Sequence, residues 1–170
     1  MTDIVTDGTR LILPGGVVVP CAMGRSGLID AARKREGDGA TPIGRWRLVR
    51  VYFRPDRVDP PRCHLPVSPL SEQDGWCDAP HDPAYNRHVL RPYPASHEAM
   101  WRADGLYDIV VTTDHNSDPV VPGAGSAIFL HCRNPEGKPT AGCIAVDRPV
   151  LQDLLGAVAD EAYLDIRAAL

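Results

Sequence analysis

Residues 126–132 read Ser126-Ala127-Ile128-Phe129-Leu130-His131-Cys132, and residues 140–144 read Thr140-Ala141-Gly142-Cys143-Ile144. The apolar run before the histidine predicts a strand that ends on His131. The residues between the two segments, 133–139, are turn-forming, so we expect a hairpin-like loop and a returning segment. This path would bring Cys143 back beside His131. A thiol beside an imidazole is the arrangement of an activated sulfur nucleophile.

The composition predicts one folded domain over residues 1–170. Hydrophobic residues make up 44% of the chain, and 15 glycines and 17 prolines favour turns and short strands over long helices. The net charge of -4 offers no basic patch for nucleic acid. No apolar run is long enough to span a bilayer. We therefore expect neither nucleic acid nor a membrane as a partner.

The N-terminal residues 1–10 lack the basic and apolar segments of a secretory signal. We therefore expect a cytoplasmic protein, or a periplasmic one if an export route that the sequence does not reveal operates. The five cysteines are an odd number, and in a reducing compartment they are expected to be free thiols.

The apolar pattern predicts a mostly β (α+β) fold with one main helix. Strands are expected over residues 9–13, 16–21, 45–54, 106–112, 126–131 and 162–166. A short helix is predicted over residues 96–102, with Ser96 as its N-cap. The main helix is predicted after the cysteine, with Asp147 as N-cap, Pro149 in its first turn and an apolar stripe from Val150 to Val158.

A long proline-rich insertion is predicted over about residues 55–98. Its aromatic residues indicate an ordered segment, and we interpret it as a cover over the substrate. Four of its residues would supply aromatic walls and polar groups to a ligand site, namely Trp76, Tyr85, Asn86 and Arg87.

The same insertion contains cysteine and histidine residues that suggest a metal site. Cys63, Cys77 and His81 are the candidate ligands, with His64 and His88 nearby in the sequence. No Cys-x-x-Cys pair is present, and the spacings match no common structural zinc site. We therefore predict no metal and no other cofactor, while the alternative of a zinc site stays open.

Two segments of the chain resemble the signature elements of the L,D-transpeptidase catalytic domain, or YkuD-type, family. Residues 36–44, Glu36-Gly37-Asp38-Gly39-Ala40-Thr41-Pro42-Ile43-Gly44, are similar to the Gly-Asp…Thr-Pro-x-Gly element of that family. His131 and residues 140–144 are similar to its His…Ser/Thr-His-Gly-Cys signature. The resemblance covers residues 10–166. It implies a β-sandwich-like fold and a cysteine acyl transferase that acts on peptidoglycan stem peptides.

The resemblance also implies roles for individual residues. Cys143 is the nucleophile and His131 the base, and the backbone carbonyl of Cys132 orients the imidazole. Backbone amides of Ala141, Gly142 and Cys143 form the oxyanion hole. Residues 37–44 are interpreted as a scaffold beneath the active site. Such an enzyme attacks the L-to-D bond after the third stem residue, expels D-alanine and holds the remaining peptide as a thioester.

The sequence departs from the family signature at two positions. Ala141 replaces the second histidine, and Ala145 stands where the family often has arginine or asparagine. Arginines elsewhere in the chain are therefore candidates for binding a peptide carboxylate, because a guanidinium pairs with a carboxylate through two hydrogen bonds. These candidates are Arg25, Arg45 and Arg148.

Several functions remain open at this point. Water as acyl acceptor would make the protein an L,D-carboxypeptidase of murein recycling, which we favour because residues 1–10 carry no signal. An amine acceptor would make it an L,D-transpeptidase that forms 3-3 cross-links. The alternatives of another class are a zinc- or peptidoglycan-binding module without catalysis and a cysteine peptidase of another fold. The expected partners are stem peptides or soluble muropeptides, and the oligomeric state is not predicted.

Overall fold

The computed structural model of the protein describes residues 3–170, so Met1 and Thr2 of the predicted domain lie outside the described residues. The strands are β1 (Ile4–Thr6), β2 (Arg10–Ile12), β3 (Val18–Pro20), β4 (Leu28–Asp30), β5 (Thr41–Phe53), β6 (Val67–Pro69), β7 (Asp74–Cys77), β8 (His88–Leu90), β9 (His97–Ala99), β10 (Ile109–Thr113), β11 (Phe129–Cys132), β12 (Ile144–Val146) and β13 (Tyr163–Ile166). The α-helix of this range is α1 (Arg148–Ala157). The mostly β fold with one main helix is therefore confirmed. Within residues 3–170, no helix combines the length and apolar character that crossing a bilayer requires.

Strand β5 organises the larger sheet because it has partners along its whole length. Residues 44–47 pair with β13, and residues 48–53 pair with β10. The ten-stranded sheet has the order β12-β11-β10-β5-β13-β1-β2-β3, and β4 and β6 pair with β5 in parallel. Each of the six predicted strands coincides with an observed one.

One hydrophobic core joins both halves of this sheet to helix α1. Leu11 and Leu164 from one half share the core with Val111 and Ile144 from the other. The helix contributes its predicted apolar stripe, of which Leu151, Leu154 and Leu155 are buried. A helix with one apolar face is stable here because the sheet covers that face.

Asp147 occupies the N-cap position of α1, as predicted, but its side chain makes no capping hydrogen bond. Instead, Arg133 donates to the Asp147 carboxylate through Nε and Nη2, both at 3.0 Å. This ion pair joins the residue that follows β11 to the residue that precedes α1. It therefore closes the base of the loop that carries residues 134–143.

Strands β11 and β12 lie side by side but run parallel, with Leu130 opposite Ile144 and His131 opposite Ala145. The predicted hairpin-like loop is therefore wrong, because parallel neighbours need a crossover connection. The crossing loop is held by the segment before β4: Thr140 N–H donates to the Met23 carbonyl at 2.8 Å, and Arg25 N–H donates to the Thr140 carbonyl at 2.9 Å.

Alternation along these two strands places the catalytic candidates on one face. Leu130, Cys132, Ile144 and Val146 belong to the main core. Since successive side chains point to opposite faces of a strand, His131 lies on the face opposite Leu130 and Cys132. Phe129 and Cys143 belong to a second, smaller apolar cluster. The sheet therefore separates a dry structural face from a face that is available for chemistry.

The predicted insertion contains a small three-stranded sheet of order β8-β7-β9. The helix predicted over residues 96–102 is wrong, because residues 97–99 form β9 and pair with β7, with Glu98 opposite Trp76. Strand pairing here overrides the local helical pattern. The Trp76 ring packs edge-on against Phe129 at 4.9 Å between centroids. The insertion therefore covers the face of the main sheet that carries Cys143.

Candidate active site

A cavity of about 410 Å³ lies where the crossing loop, the residue 37–39 loop and the insertion meet. Cys143 and His131 both line it, together with Ala141, Gly142 and Thr140. Charged residues of both signs also line it, namely Arg25, Lys34, Glu36, Asp78, Glu98, Arg102 and Lys138. The cavity volume lies within the range of small-molecule sites.

The thiol of Cys143 is buried, with 8% of the residue exposed. Its Sγ donates a hydrogen bond to the Ala127 carbonyl at 3.1 Å, and Phe129 N–H donates to Sγ at 3.4 Å. Burial raises the pKa of this thiol to about 12, and the negative charge of Glu98 acts in the same direction. Cys143 is therefore a neutral thiol in the resting protein.

The imidazole of His131 is buried beside Tyr107, with 5.3 Å between the ring centroids. Its Nδ1 lies 2.8 Å from the Cys132 carbonyl. Since a carbonyl oxygen only accepts, Nδ1 carries the proton and Nε2 has the free lone pair of a base. Burial lowers the pKa of His131 to about 4, so the ring is neutral. This contact is the one expected of an orienting carbonyl.

No hydrogen bond joins the Cys143 thiol to the His131 ring in the described part of the chain, because the thiol proton is directed to Ala127. The two groups therefore form a neutral pair rather than a preformed thiolate and imidazolium. A low dielectric disfavours the charged pair until a substrate supplies polar contacts. If Cys143 is the nucleophile and His131 its base, as the sequence predicts, the thiol proton has to turn from the Ala127 carbonyl to Nε2 before attack.

We expect the alkylation of Cys143 by iodoacetamide to be at least about a hundredfold slower at pH 7 than that of a free cysteine peptide, because the thiolate is the reacting form. With its pKa raised, the Cys143 rate should keep climbing above pH 9, where the free thiol levels off near its pKa of about 8.5. Mass spectrometry of digested protein resolves Cys143 from the other four cysteines. A Cys143 rate that levels off below pH 7 would contradict the neutral pair.

The predicted oxyanion-hole amides are in different states. Gly142 N–H donates to the Thr140 hydroxyl at 3.1 Å, so it is occupied. The N–H groups of Ala141 and Cys143 make no hydrogen bond to any residue of the range 3–170. These two amides therefore have the free donors that a developing oxyanion needs.

Gly142 adopts a backbone conformation that favours glycine, with φ of +147°. A Cβ added there would lie 2.9 Å from the Ala40 carbonyl oxygen. The Gly142 carbonyl accepts a hydrogen bond from the Thr41 hydroxyl at 2.8 Å. This bond fixes the peptide plane whose other end is the Cys143 N–H.

Residues 37–44 lie directly beneath the loop that carries residues 134–143. Besides holding Gly142, the Thr41 hydroxyl accepts a hydrogen bond from Gly24 N–H at 2.9 Å. The Asp38 carboxylate is bound by Lys34 Nζ and accepts Ala40 N–H at 2.8 Å. The Thr41 hydroxyl thus connects the backbone of Gly24 with that of Gly142, and the Asp38 carboxylate binds the backbone of Ala40. These contacts fit the scaffold role that the sequence predicts for residues 37–44.

The residues predicted to bind substrate from the insertion do not line the cavity. Tyr85 donates through its hydroxyl to the Glu36 carboxylate, and burial raises the pKa of that hydroxyl. Arg87 donates to the Ser117 carbonyl at 2.8 Å. Trp76 packs on Phe129 and donates through Nε1 to Asn86 Oδ1 at 2.9 Å. Their polar groups are used within the protein.

Asn86 is buried, and its amide joins the insertion to the segment that contacts Cys143. Its Nδ2 donates to the carbonyls of His115 and Asn116 at 3.0 and 2.8 Å. Its Oδ1 accepts Ala127 N–H at 3.0 Å, while Ala127 itself has a φ of +52°. The Ala127 carbonyl then accepts the Cys143 thiol. Asn86 therefore positions the thiol instead of touching substrate.

Two predicted arginines also lie away from the cavity. Arg45 pairs with Asp3 at 2.8 Å and stacks on Tyr163, and Arg148 donates to Asp108 at 3.1 Å. Both are structural in this arrangement because their guanidinium groups already have acidic or aromatic partners. Arg25 does line the cavity and makes no side-chain hydrogen bond or ion pair to residues 3–170.

Sequence reasoning missed the group formed by Glu98, Arg102 and Tyr107. Glu98 Oε1 accepts from the Tyr107 hydroxyl at 2.7 Å and from Arg102 Nη1 at 3.1 Å. The sequence did indicate one of these contacts, because Glu98 and Arg102 have opposite charges and lie four positions apart. That pair was interpreted as part of a helix, so its place beside Cys143 was not predicted.

The proposed metal ligands do not come together. Within residues 3–170, no group of three or more histidine, cysteine, aspartate or glutamate residues is placed to hold a metal ion. Cys63 Sγ contacts the Leu65 carbonyl at 3.6 Å, and Cys77 is buried in the small sheet. The zinc alternative has no ligand geometry in this range.

Comparison with known proteins gives one family match. The model of the L,D-transpeptidase catalytic domain, YkuD, matches residues 2–163. The match includes both the residue 36–44 segment and the segment from His131 to Cys143, which form the floor and wall of the cavity. No curated protein and no solved structure matches the chain.

Proposed function

Since the chain belongs to the L,D-transpeptidase catalytic domain family, we propose that it is an L,D-carboxypeptidase. In this proposal it removes the terminal D-alanine of a peptidoglycan tetrapeptide through a Cys143 thioester, and water is the acyl acceptor. Family membership supports a cysteine-dependent enzyme acting on peptidoglycan peptides. That the acyl acceptor is water and not an amine goes beyond family membership, and the volume of the cavity supports it.

The observation that carries the proposal is the small volume of the cavity, about 410 Å³. This volume is near the lower end for ligand sites, which run from about 300 to 1,000 Å³. It suits the end of one stem peptide around Cys143. A second stem, which cross-linking would require as the acyl acceptor, needs considerably more room. Water needs almost none.

The chemistry follows from the neutral pair. Cys143 Sγ attacks the carbonyl carbon of the third stem residue while its proton passes to His131 Nε2. The oxyanion that forms accepts hydrogen bonds from the Ala141 and Cys143 amides. When the carbon–nitrogen bond breaks, His131 returns the proton to the leaving amine of D-alanine. The peptide remains as a thioester on Cys143.

Hydrolysis repeats the sequence with water in place of the thiol. His131 Nε2 takes a proton from the water as its oxygen attacks the thioester carbonyl. The carbon–sulfur bond then breaks, and the proton returns to Sγ. The product is a tripeptide with a new carboxyl group, and the neutral thiol is restored.

Arg25 is the residue we assign to the terminal carboxylate of the leaving D-alanine. Its backbone N–H is tied to Thr140 at 2.9 Å, while its guanidinium is without an internal partner in the described chain. A guanidinium forms strong paired hydrogen bonds with a carboxylate. The anchored backbone therefore places a free cation at the edge of the cavity, where Ala145 contributes no polar side chain.

Incubating the protein with a disaccharide-tetrapeptide in water enriched in oxygen-18 distinguishes the two acceptors. We expect equal amounts of tripeptide and D-alanine, with one oxygen-18 atom in the new tripeptide carboxyl group. Mass spectrometry reports both. Dimers without labelled tripeptide would contradict hydrolysis and indicate transpeptidation. The Cys143→Ala variant controls for contaminating activity.

A further inference from the structure

The small sheet of the insertion presents two carboxylates to the cavity. Glu98 lies opposite Trp76 in the β7–β9 pair, so the two side chains share a face of the sheet. Asp78 follows β7, and its N–H donates to the Ser96 carbonyl at 3.2 Å. Both Asp78 and Glu98 line the cavity that contains Cys143.

The protein leaves oxygen atoms of both carboxylates without donors. Asp78 Oδ1 is buried and has no hydrogen-bond partner among the described residues. Glu98 uses Oε1 for Tyr107 and Arg102, while its Oε2 accepts no hydrogen bond from residues 3–170. A buried carboxylate oxygen without a donor costs free energy, so Asp78 Oδ1 in particular calls for a ligand that donates.

A second unpartnered group lies in the same cavity. Ser126 is only 9% exposed, and within residues 3–170 no hydrogen-bond partner satisfies its hydroxyl. Arg102, which binds Glu98 through Nη1, is shared, because its Nη2 also binds Asp104 at 2.6 Å. Burial and the charge of Asp78 together raise the pKa of Glu98. Asp78 and Glu98 therefore keep carboxylate oxygens at the cavity that no donor of the described residues uses.

We propose that Asp78 and Glu98 form a subsite for a primary ammonium group of the substrate. This assignment rests on the proposed function, in which the ammonium group is the side-chain amine of the third stem residue. The enzyme would therefore select stems in which that amine is free. A stem whose amine has been acylated, as in a cross-link, loses the charge and adds bulk against the two carboxylates.

The ammonium group belongs to the acyl donor rather than to an attacking acceptor. A carboxylate pair stabilises the protonated form of an amine. A protonated amine has no lone pair and cannot attack a thioester. The subsite therefore suits an amine that is recognised and does not react, which agrees with water as the acceptor.

The test uses tetrapeptides that carry lysine, Nε-acetyllysine or norleucine as the third residue. For the wild-type protein we expect kcat/KM to be about 10–100-fold higher for lysine than for the other two, as for the loss of a charged hydrogen bond. The difference should lie mainly in KM. The Asp78→Asn and Glu98→Gln variants keep the shape of each side chain and should lower the ratio of kcat/KM for the lysine peptide to kcat/KM for the norleucine peptide.

Glu72→Gln is the matched control, because Glu72 is an exposed carboxylate of the same insertion and lies outside the cavity. It should keep the lysine preference. Equal wild-type rates for lysine and norleucine, or a preference that survives both Asp78→Asn and Glu98→Gln, would overturn the subsite. If one variant does not fold, the other decides.

A binding measurement tests the ammonium subsite independently of the proposed carboxypeptidase activity. Calorimetry with the Cys143→Ala variant compares the affinity of the three peptides without any turnover. Tighter binding of the lysine peptide supports the subsite even if water proves not to be the acceptor. Equal affinities overturn the subsite even if the wild-type protein hydrolyses all three.

Discussion

Replacing Cys143 by alanine is expected to abolish the release of D-alanine, with turnover falling roughly a thousandfold to a millionfold. The proposed reaction forms its covalent bond at Sγ, and among residues 3–170 no other thiol lines the cavity. The side chain is small and buried, so its truncation should cost only about 1 kcal/mol of stability. Turnover is measured with a tetrapeptide, and folding by thermal unfolding.

The controls separate the nucleophile from cysteines in general. Cys63→Ala removes a half-buried thiol outside the cavity and should leave turnover within about twofold. Cys143→Ser keeps a hydroxyl in place, but a neutral His131 is a weak base for it, so most activity should be lost. Turnover of Cys143→Ala near the wild-type rate would remove the thioester from the mechanism.

Replacing Gly142 by alanine is expected to lower both stability and turnover. The added Cβ would lie 2.9 Å from the Ala40 carbonyl and 3.3 Å from Ile128 Cδ1, at a φ of +147°. Strain of this kind costs about 1–3 kcal/mol. The peptide plane held by Thr41 must also shift, which moves the Cys143 N–H and should reduce kcat about a hundredfold or more.

Gly15→Ala is the control for backbone strain alone. Gly15 has a φ of +96° in the turn between β2 and β3, and an added Cβ would meet nothing within 4 Å. We expect a loss of about 1 kcal/mol in unfolding free energy with turnover unchanged. A Gly142→Ala variant that loses stability but keeps the wild-type kcat would show that the Cys143 amide does not depend on this plane.

The insertion connects the Asp78 and Glu98 carboxylates with the neutral pair of Cys143 and His131. Its small sheet packs on β11 through Trp76 and Phe129, and burial raises the pKa of Cys143 and lowers that of His131. The same sheet contributes Glu98, whose charge further disfavours a thiolate. An ammonium group bound there would offset that charge, so substrate binding would favour the attacking form of sulfur.

The Cys143 and His131 pair could be predicted because its signals are local. An apolar run ending in histidine and a glycine before a cysteine are patterns of neighbouring residues, and strand alternation then assigns Cys132 to the other face. The roles of both residues in catalysis remain predictions. The helix that follows was also predictable, because its apolar stripe recurs at helical spacing.

The substrate side of the cavity could not be predicted in the same way. Trp76, Asn86 and Arg87 have the residue types of a binding site, yet their polar groups are used inside the protein. Glu98 has an ordinary helical context in the sequence, and only its pairing with Trp76 turns it toward the cavity. The residue type limits which ligands a side chain can bind, whereas strand pairing determines whether that side chain faces the cavity.

The amino-acid sequence by itself determined the mostly β fold, the helix α1 and the residues that carry the candidate chemistry, because these follow from short-range patterns of polarity. Only the tertiary structure decided the parallel course of β12, the neutral state of the thiol and imidazole, and the unpartnered oxygens of Asp78 and Glu98. These features arise from contacts between segments far apart in the chain. Burial and hydrogen bonding at such contacts depend on the three-dimensional neighbours of a residue, which the order of residues does not reveal.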